Sequence, residues 1–193
     1  MEQLKERIRR EGKVLPGNIV KVDGFLNHRV DTALLHDIAD EFAKFFDIDK
    51  ITVVLTAEAS GIALATVCAE KFGVPMLFAK KAKSDNIESG LYQSEVFSYT
   101  YKKKVTLLVS QEWLSADDHV LIIDDFMANG FAMQGLVDIV NEAGATLEGI
   151  GIAVEKGFQG GGDKFRALGV NYKALAVIER ADEDGFIFRE DED

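Results

Sequence analysis

The sequence predicts an α/β domain with a mostly parallel central sheet and helices on both faces, and three observations predict it. Apolar clusters alternate along the chain between helical and strand-like spacing, the order produced when strands are joined by crossover helices. The run Val120-Leu121-Ile122-Ile123 lacks any polar alternation, the mark of a parallel strand covered on both sides. The chain has 193 residues and 47% hydrophobic content, enough for one ordinary core, so a single domain over 1–193 is expected.

Residues 4–10 are expected as a short helix ended by Gly12, and residues 14–22 as an extended segment with Pro16-Gly17 as a turn. Asp31 caps a helix running to about residue 46, with Leu34, Leu35, Ile38, Phe42 and Phe45 on its buried side. Residues 51–55 form the first core strand. After Thr56-Ala57-Glu58-Ala59-Ser60-Gly61 a helix runs to about residue 72, and the next strand begins over 75–78. The polar stretch 84–101, with Ser89-Gly90 inside it, is long for a compact domain, and such loops often serve as lids. Its alternating end, Val96-Phe97-Ser98-Tyr99, equally suits one strand of a hairpin with 104–109. Segments 105–109, 120–123, 150–154 and 175–178 complete the strands. Residues 133–143 have helical spacing through Leu136, Val137, Ile139 and Val140. There is no internal repeat.

The 33 acids against 22 bases give a net charge of −11, which opposes nonspecific attraction to nucleic acid and to anionic membranes. No stretch reaches about eighteen consecutive apolar residues, and the charged start Met1-Glu2-Gln3-Leu4-Lys5-Glu6-Arg7 lacks an apolar signal core. A cytoplasmic protein with no membrane or nucleic-acid partner is expected. Cys68 is the one cysteine and lies among Ile62, Leu64, Val67 and Ala69, so it reads as a small core residue rather than a nucleophile. His28, His36 and His119 are scattered without cysteines near them, which argues against a zinc site.

The chemistry concentrates after residue 123. Asp124 and Asp125 follow the central strand at its carboxyl end, where open α/β sheets bind ligands, and two adjacent acids call for a cationic or hydroxyl-rich partner. The turn Ala128-Asn129-Gly130-Phe131-Ala132 then lies at a helix N-terminus, whose free N–H groups and positive dipole end suit a phosphate. The carboxylates would accept from ribose hydroxyls beside it. The plain alternative makes the acids a polar strand end and Asn129-Gly130 a tight turn.

Four apolar residues, two acids and a small-residue loop together resemble the 5-phosphoribosyl-1-pyrophosphate (PRPP) motif of the type I phosphoribosyltransferase family. Many members place threonine and paired glycines where this chain has residues 128–132, so backbone amides and Asn129 must supply the 5′-phosphate contacts here. In its Ala-Asn-Gly form the loop is similar to the bacterial xanthine phosphoribosyltransferases, and the resemblance runs to about residue 181. It implies the type I phosphoribosyltransferase fold, with a small hood from about residues 1–30 and a flexible catalytic loop over about 81–101. It implies Asp124 and Asp125 as the catalytic pair, residues 128–132 as the 5′-phosphate cradle, and the amides of Ala59, Ser60 and Gly61 as receivers of pyrophosphate. Glu58 departs from an anion site, and Lys80 or Lys81, in the same or a neighbouring subunit, would neutralise the charge.

For the base, the resemblance points to Val20, Asn27 and Lys156, and the aromatic Phe158 beside Lys156 offers a stacking face. Lysine donates to a ring carbonyl, and an asparagine amide both donates and accepts, which suits a purine with two carbonyls. Each has an ordinary alternative: Val20 as hood core, Asn27 as a turn residue, Lys156 as a surface charge. The implied activity joins xanthine and PRPP to give xanthosine 5′-monophosphate and pyrophosphate, with Mg²⁺ carried mainly by PRPP and a homodimer as the assembly. The competing readings are a guanine or hypoxanthine phosphoribosyltransferase and a noncatalytic PRPP sensor. The sensor would need a DNA-binding element, for which the chain has neither room nor a basic patch.

Overall fold

The structure, a computed structural model describing residues 1–82, 89–98 and 103–190, begins with α1 (Glu2–Glu11), β1 (Lys13–Leu15), β2 (Ile19–Lys21) and α2 (Thr32–Phe45). Then come β3 (Val53–Ala57), α3 (Gly61–Phe72), β4 (Met76–Ala82), β5 (Leu91–Ser98), β6 (Lys103–Ser110) and β7 (His119–Met127). The chain finishes with α4 (Phe131–Glu142), β8 (Thr146–Lys156), α5 (Gly161–Ala167), β9 (Tyr172–Asp182) and β10 (Gly185–Phe188). Eight strands make one sheet in the order β10-β9-β8-β7-β3-β4-β6-β5. The five strands from β9 to β4 run parallel, whereas β10, β6 and β5 join antiparallel at the two edges.

Unbroken apolar strands let successive side chains feed opposite faces. Val54, Leu121 and Ile123 enter one core with Leu35, Ile38 and Phe42 of α2 and Leu64 of α3. Val53, Leu55, Val120 and Ile122 enter the other, with Leu136, Ile139 and Val140 of α4 and Phe165 of α5. The N-terminal segment packs over the β9 side: α1 buries Leu4 and Ile8, its terminal ammonium donates to Leu175 O at 2.7 Å, and β1 and β2 form a small hairpin. Asp31 caps α2 as expected, its carboxylate accepting from Leu34 N.

Four expectations are corrected. Phe45 is 43% exposed, because α2 ends there and the extended Phe46 takes the buried place at 4%. Lys81, at the start of the expected loop, belongs with Lys80 to a strand, since β4 continues by pairing Lys80 with Leu108 and Lys81 with Leu107 on β6. The central strand does not stop at residue 123: Asp124, Phe126 and Met127 keep pairing with Ile152, Val154 and Glu155 of β8. The expected loop over 81–101 lies partly outside the described residues, and its described end is the hairpin alternative, with β5 paired along all of β6. Two elements, α5 and β10, were not anticipated. Among the described residues no helix is long and apolar enough to cross a membrane.

Candidate active site

The extension of β7 changes the setting of the acid pair. Asp125 is only 2% exposed and Asp124 is partly buried, so neither is the exposed strand end that their sequence position suggests. Asp125 survives burial because hydrogen-bond donors converge on it. Asn27 Nδ2 donates to Oδ2 at 2.7 Å and Ser60 Oγ donates to Oδ1 at 2.9 Å. The N-terminal segment, the α3 entrance and β7 therefore meet at one carboxylate.

Asp124 accepts from the Asp125 backbone N–H at 2.9 Å. Burial first, and then the Asp125 charge, push its carboxyl well above the ordinary carboxylate range, while Lys81 pulls weakly the other way. Its carboxyl crowds Gly61: a Cβ at that position would overlap both Asp124 Oδ1 and Thr56 Oγ1. Glycine at the first position of α3 is what lets the acid reach the helix N-terminus. Thr56 is fully buried there, and among the described residues its hydroxyl has no hydrogen-bond partner.

Ser60 stands at the N-cap of α3 but caps nothing, since its hydroxyl is committed to Asp125. Glu58 is also accounted for: its Oε1 accepts from Lys81 N at 2.6 Å, which ties the entrance loop to β4. The residues 59–61 thus sit beside Asp124 and Asp125, and Lys81 adds positive charge close to Asp124.

At the other side of β7, Gly130 adopts φ +83 and starts α4, a backbone shape that side chains resist. Gln134 N donates to Gly130 O, so the N–H groups of Ala132 and Met133 have no partner within the helix. The Asn129 side chain accepts from Phe131 N at 3.4 Å, acting as a local turn brace. The backs of the turn are held by α5. Gly161 N donates to Ala128 O at 3.1 Å and Lys164 Nζ to Asn129 O at 3.3 Å.

Lys156 ends β8, with Nζ 5.0 Å from the centre of the Phe126 ring. Burial lowers its pKa from the ordinary lysine value, opposed by the Asp125 charge. It stands as a partly desolvated cation near the acid that Asn27 also touches. The preceding residue, Glu155, is completely buried and bonded by Arg166 and Tyr172.

The structure thus brings together Asn27, Ser60, Gly61, Lys81, Asp124, Asp125 and Lys156. Asn27 is more than a turn residue, although one of its donors is spent on Asp125. Val20 is 6% exposed in the apolar cluster on which Phe126 also packs. Phe158 is 38% exposed beyond Lys156. Sequence reasoning missed Thr56, Glu155 and the Gly160-Gly161-Gly162 segment; three consecutive glycines after a strand-terminal lysine were the available signal. Among the described residues, no group of three or more histidine, cysteine, aspartate or glutamate side chains is set to hold a metal.

A family model described as "Phosphoribosyl transferase domain" matches residues 31–165. A xanthine phosphoribosyltransferase of Lachnoclostridium phytofermentans is 49% identical over 193 residues, covering 99% of this chain and 100% of the relative. Another, from Bifidobacterium longum, is 52% identical over 180 residues, 93% of each chain. Among solved structures, the adenine phosphoribosyltransferase of Giardia lamblia complexed with 9-deazaadenine superposes with a TM-score of 0.76 at 20% identity, over 92% of this chain and 98% of that one. The enzyme of Trypanosoma brucei in complex with AMP, pyrophosphate and ribose-5-phosphate gives 0.71 at 21% identity, over 90% and 79%. These two share the fold, and the sequence relatives share much more. The chain belongs to the phosphoribosyltransferase family.

Proposed function

We propose that the chain is a purine salvage phosphoribosyltransferase that converts xanthine and PRPP to xanthosine 5′-monophosphate and pyrophosphate. Near-full-length identity of about half with xanthine phosphoribosyltransferases supports the substrate, and one geometric observation supports the chemistry. Asp124 and Asp125 lie between two helix entrances, α3 and α4, with Lys156 near Asp125.

The two entrances divide the phosphates of PRPP between them. The α4 turn, residues 128–132, takes the 5′-phosphate through its N–H groups other than that of Phe131, which Asn129 holds. The loop 59–61 takes pyrophosphate, aided by the Lys81 charge. Asp124 and Asp125 accept from the ribose hydroxyls in between, and Ser60 and Asn27 hold Asp125 in place for this. Lys156 donates to the carbonyl at the six position of the purine, and Asn27, through its remaining N–H and its carbonyl, faces the other edge. Adenine carries a donor where Lys156 needs an acceptor and is rejected. As the bond between the anomeric carbon and the pyrophosphate oxygen breaks, positive charge grows on the ribose, a purine ring nitrogen attacks from the opposite face, and the proton it carried leaves to the departing pyrophosphate or to solvent. The protein contributes alignment and exclusion of water more than proton transfer.

Mg²⁺ would enter with PRPP, and Asp124 and Asp125, beside the ribose, would hold the sugar hydroxyls or water bound to the ion. When bound, the ion offsets the negative charge of the leaving pyrophosphate. Incubation with xanthine, PRPP and Mg²⁺ tests the reading. Nucleotide and pyrophosphate should form one for one, and formation of neither would remove it.

A further inference from the structure

Glu155 is an expensive residue to bury. It is 0% exposed at the end of β8, and both its oxygens are taken: Arg166 Nη1 donates to Oε1 at 2.9 Å, and Arg166 Nη2 and Tyr172 Oη donate to Oε2 at 2.6 and 2.9 Å. A buried ion pair is a poor source of stability compared with apolar residues of the same volume, so its value lies in what it fixes. Glu155 fixes α5. Arg166 belongs to that helix, and Gly162 lies so close to the Glu155 carboxylate that a Cβ there would overlap it.

The opposite side of α5 touches the 128–130 turn. Besides the bonds from Gly161 N and Lys164 Nζ to the carbonyls of Ala128 and Asn129, a Cβ on Gly161 would overlap Ala128 O and lie 2.8 Å from Gly130 N. Those neighbours are backbone and cannot swing aside. In a trans peptide the carbonyl and the N–H point in opposite directions. Two carbonyls anchored on α5 therefore turn the N–H groups of Asn129 and Gly130 to the side away from α5.

We propose that Glu155 and Arg166 are positioning residues that clamp α5 against the turn, with Gly161 as the contact that presents the turn's N–H groups to the 5′-phosphate of PRPP. The proposal rests on the phosphate role assigned above to residues 128–132. Neither residue touches substrate. The clamp also explains why a seven-residue helix opening on glycines holds together: the ion pair and close backbone contact replace helix propensity.

Calorimetric binding of PRPP with Mg²⁺ in the absence of any purine tests it, on Gly161→Ala, Arg166→Lys and Tyr172→Phe, alongside xanthine kinetics and melting temperature. Arg166→Lys removes the two-pronged bond, whereas Tyr172→Phe removes one donor and leaves the fork. Gly161→Ala and Arg166→Lys should weaken PRPP binding about tenfold or more, with the xanthine KM at saturating PRPP within about twofold of the parent and Tyr172→Phe in between. A lower melting temperature with unchanged PRPP affinity in Gly161→Ala and Tyr172→Phe would overturn the proposal, even if Arg166→Lys fails to fold. Parent protein that binds PRPP but makes no xanthine nucleotide would remove the activity and leave the clamp judged on affinity. Parent protein that binds no PRPP would overturn both.

Discussion

Replacing Lys156 isolates base recognition from everything else in the site. Its Nζ lies 5.0 Å from the Phe126 ring, its stem is largely sheltered, and burial holds its pKa below the ordinary lysine value. Lys156→Ala removes two separable things. The hydrogen bond to the purine carbonyl, charge-assisted and made in a closed site, is worth about 1.5–3 kcal/mol, or about one to two powers of ten in kcat/KM for xanthine. The contact with Phe126, worth about 0.5–2 kcal/mol, is made with or without substrate and shows in stability instead. Lys156→Met keeps the stem and should match Lys156→Ala in kinetics while melting closer to the parent. PRPP affinity measured without purine should stay near the parent value in both. Because burial lowers the lysine pKa, xanthine use should fall on the alkaline side below the ordinary lysine range, and Lys156→Arg should move that limb upward. A limb contributed by the purine would persist in both. Lys156→Ala with xanthine kcat/KM within about twofold of the parent would place the base elsewhere and refute the reasoning.

Three further outcomes follow from the acid pair and its loops. The raised Asp124 carboxyl means that the folded chain without ligand holds a proton that the unfolded chain releases; the stability this confers is present below the ordinary carboxylate pKa and is lost as pH rises toward the raised value. Asp124→Asn, measured without PRPP or Mg²⁺, should therefore melt above the parent by a margin that widens from acid to neutral pH while its turnover collapses, and a margin flat with pH would contradict the burial. Ser60→Ala leaves the 2% exposed Asp125 with one side-chain donor fewer, which should lower unfolding stability by about 1–3 kcal/mol in urea titration, with recovery in Ser60→Thr. Gly130→Val forces a branched side chain to φ +83 with its Cβ 3.3 Å from Phe165, so a loss of about 1–2 kcal/mol in stability should accompany weaker PRPP binding, and unchanged affinity in the folded variant would count against the turn as the phosphate cradle.

The strands and principal helices were legible because burial on both faces demands unbroken apolar runs, as in residues 120–123, and because Asp31 and Gly12 mark helix ends chemically. The extent of β7 was not legible. Asp124 and Asp125 look like a strand's end by polarity, but the ladder to β8 continues beneath them, and pairing of Met127 with Glu155 is a tertiary fact. Helix α5 was missed for the same reason, since Gly161-Gly162 reads as loop until Glu155 and Arg166 are seen to join. Motif position pointed to the acids and to the two turns proposed for the phosphates, yet could not show that Ser60 serves Asp125 rather than capping α3, or that Asn27 reaches the same carboxylate. Those contacts link residues far apart in sequence, and neither end advertises the other.

If the site joins a dioxopurine to PRPP, initial rates with xanthine, guanine, hypoxanthine and adenine at saturating PRPP and Mg²⁺ will rank them by their carbonyls. Xanthine should give the highest kcat/KM, guanine should follow because it keeps the carbonyl that Lys156 reads, and adenine should give no nucleotide. Adenine used as well as xanthine, or no nucleotide from any of the four, would contradict the account.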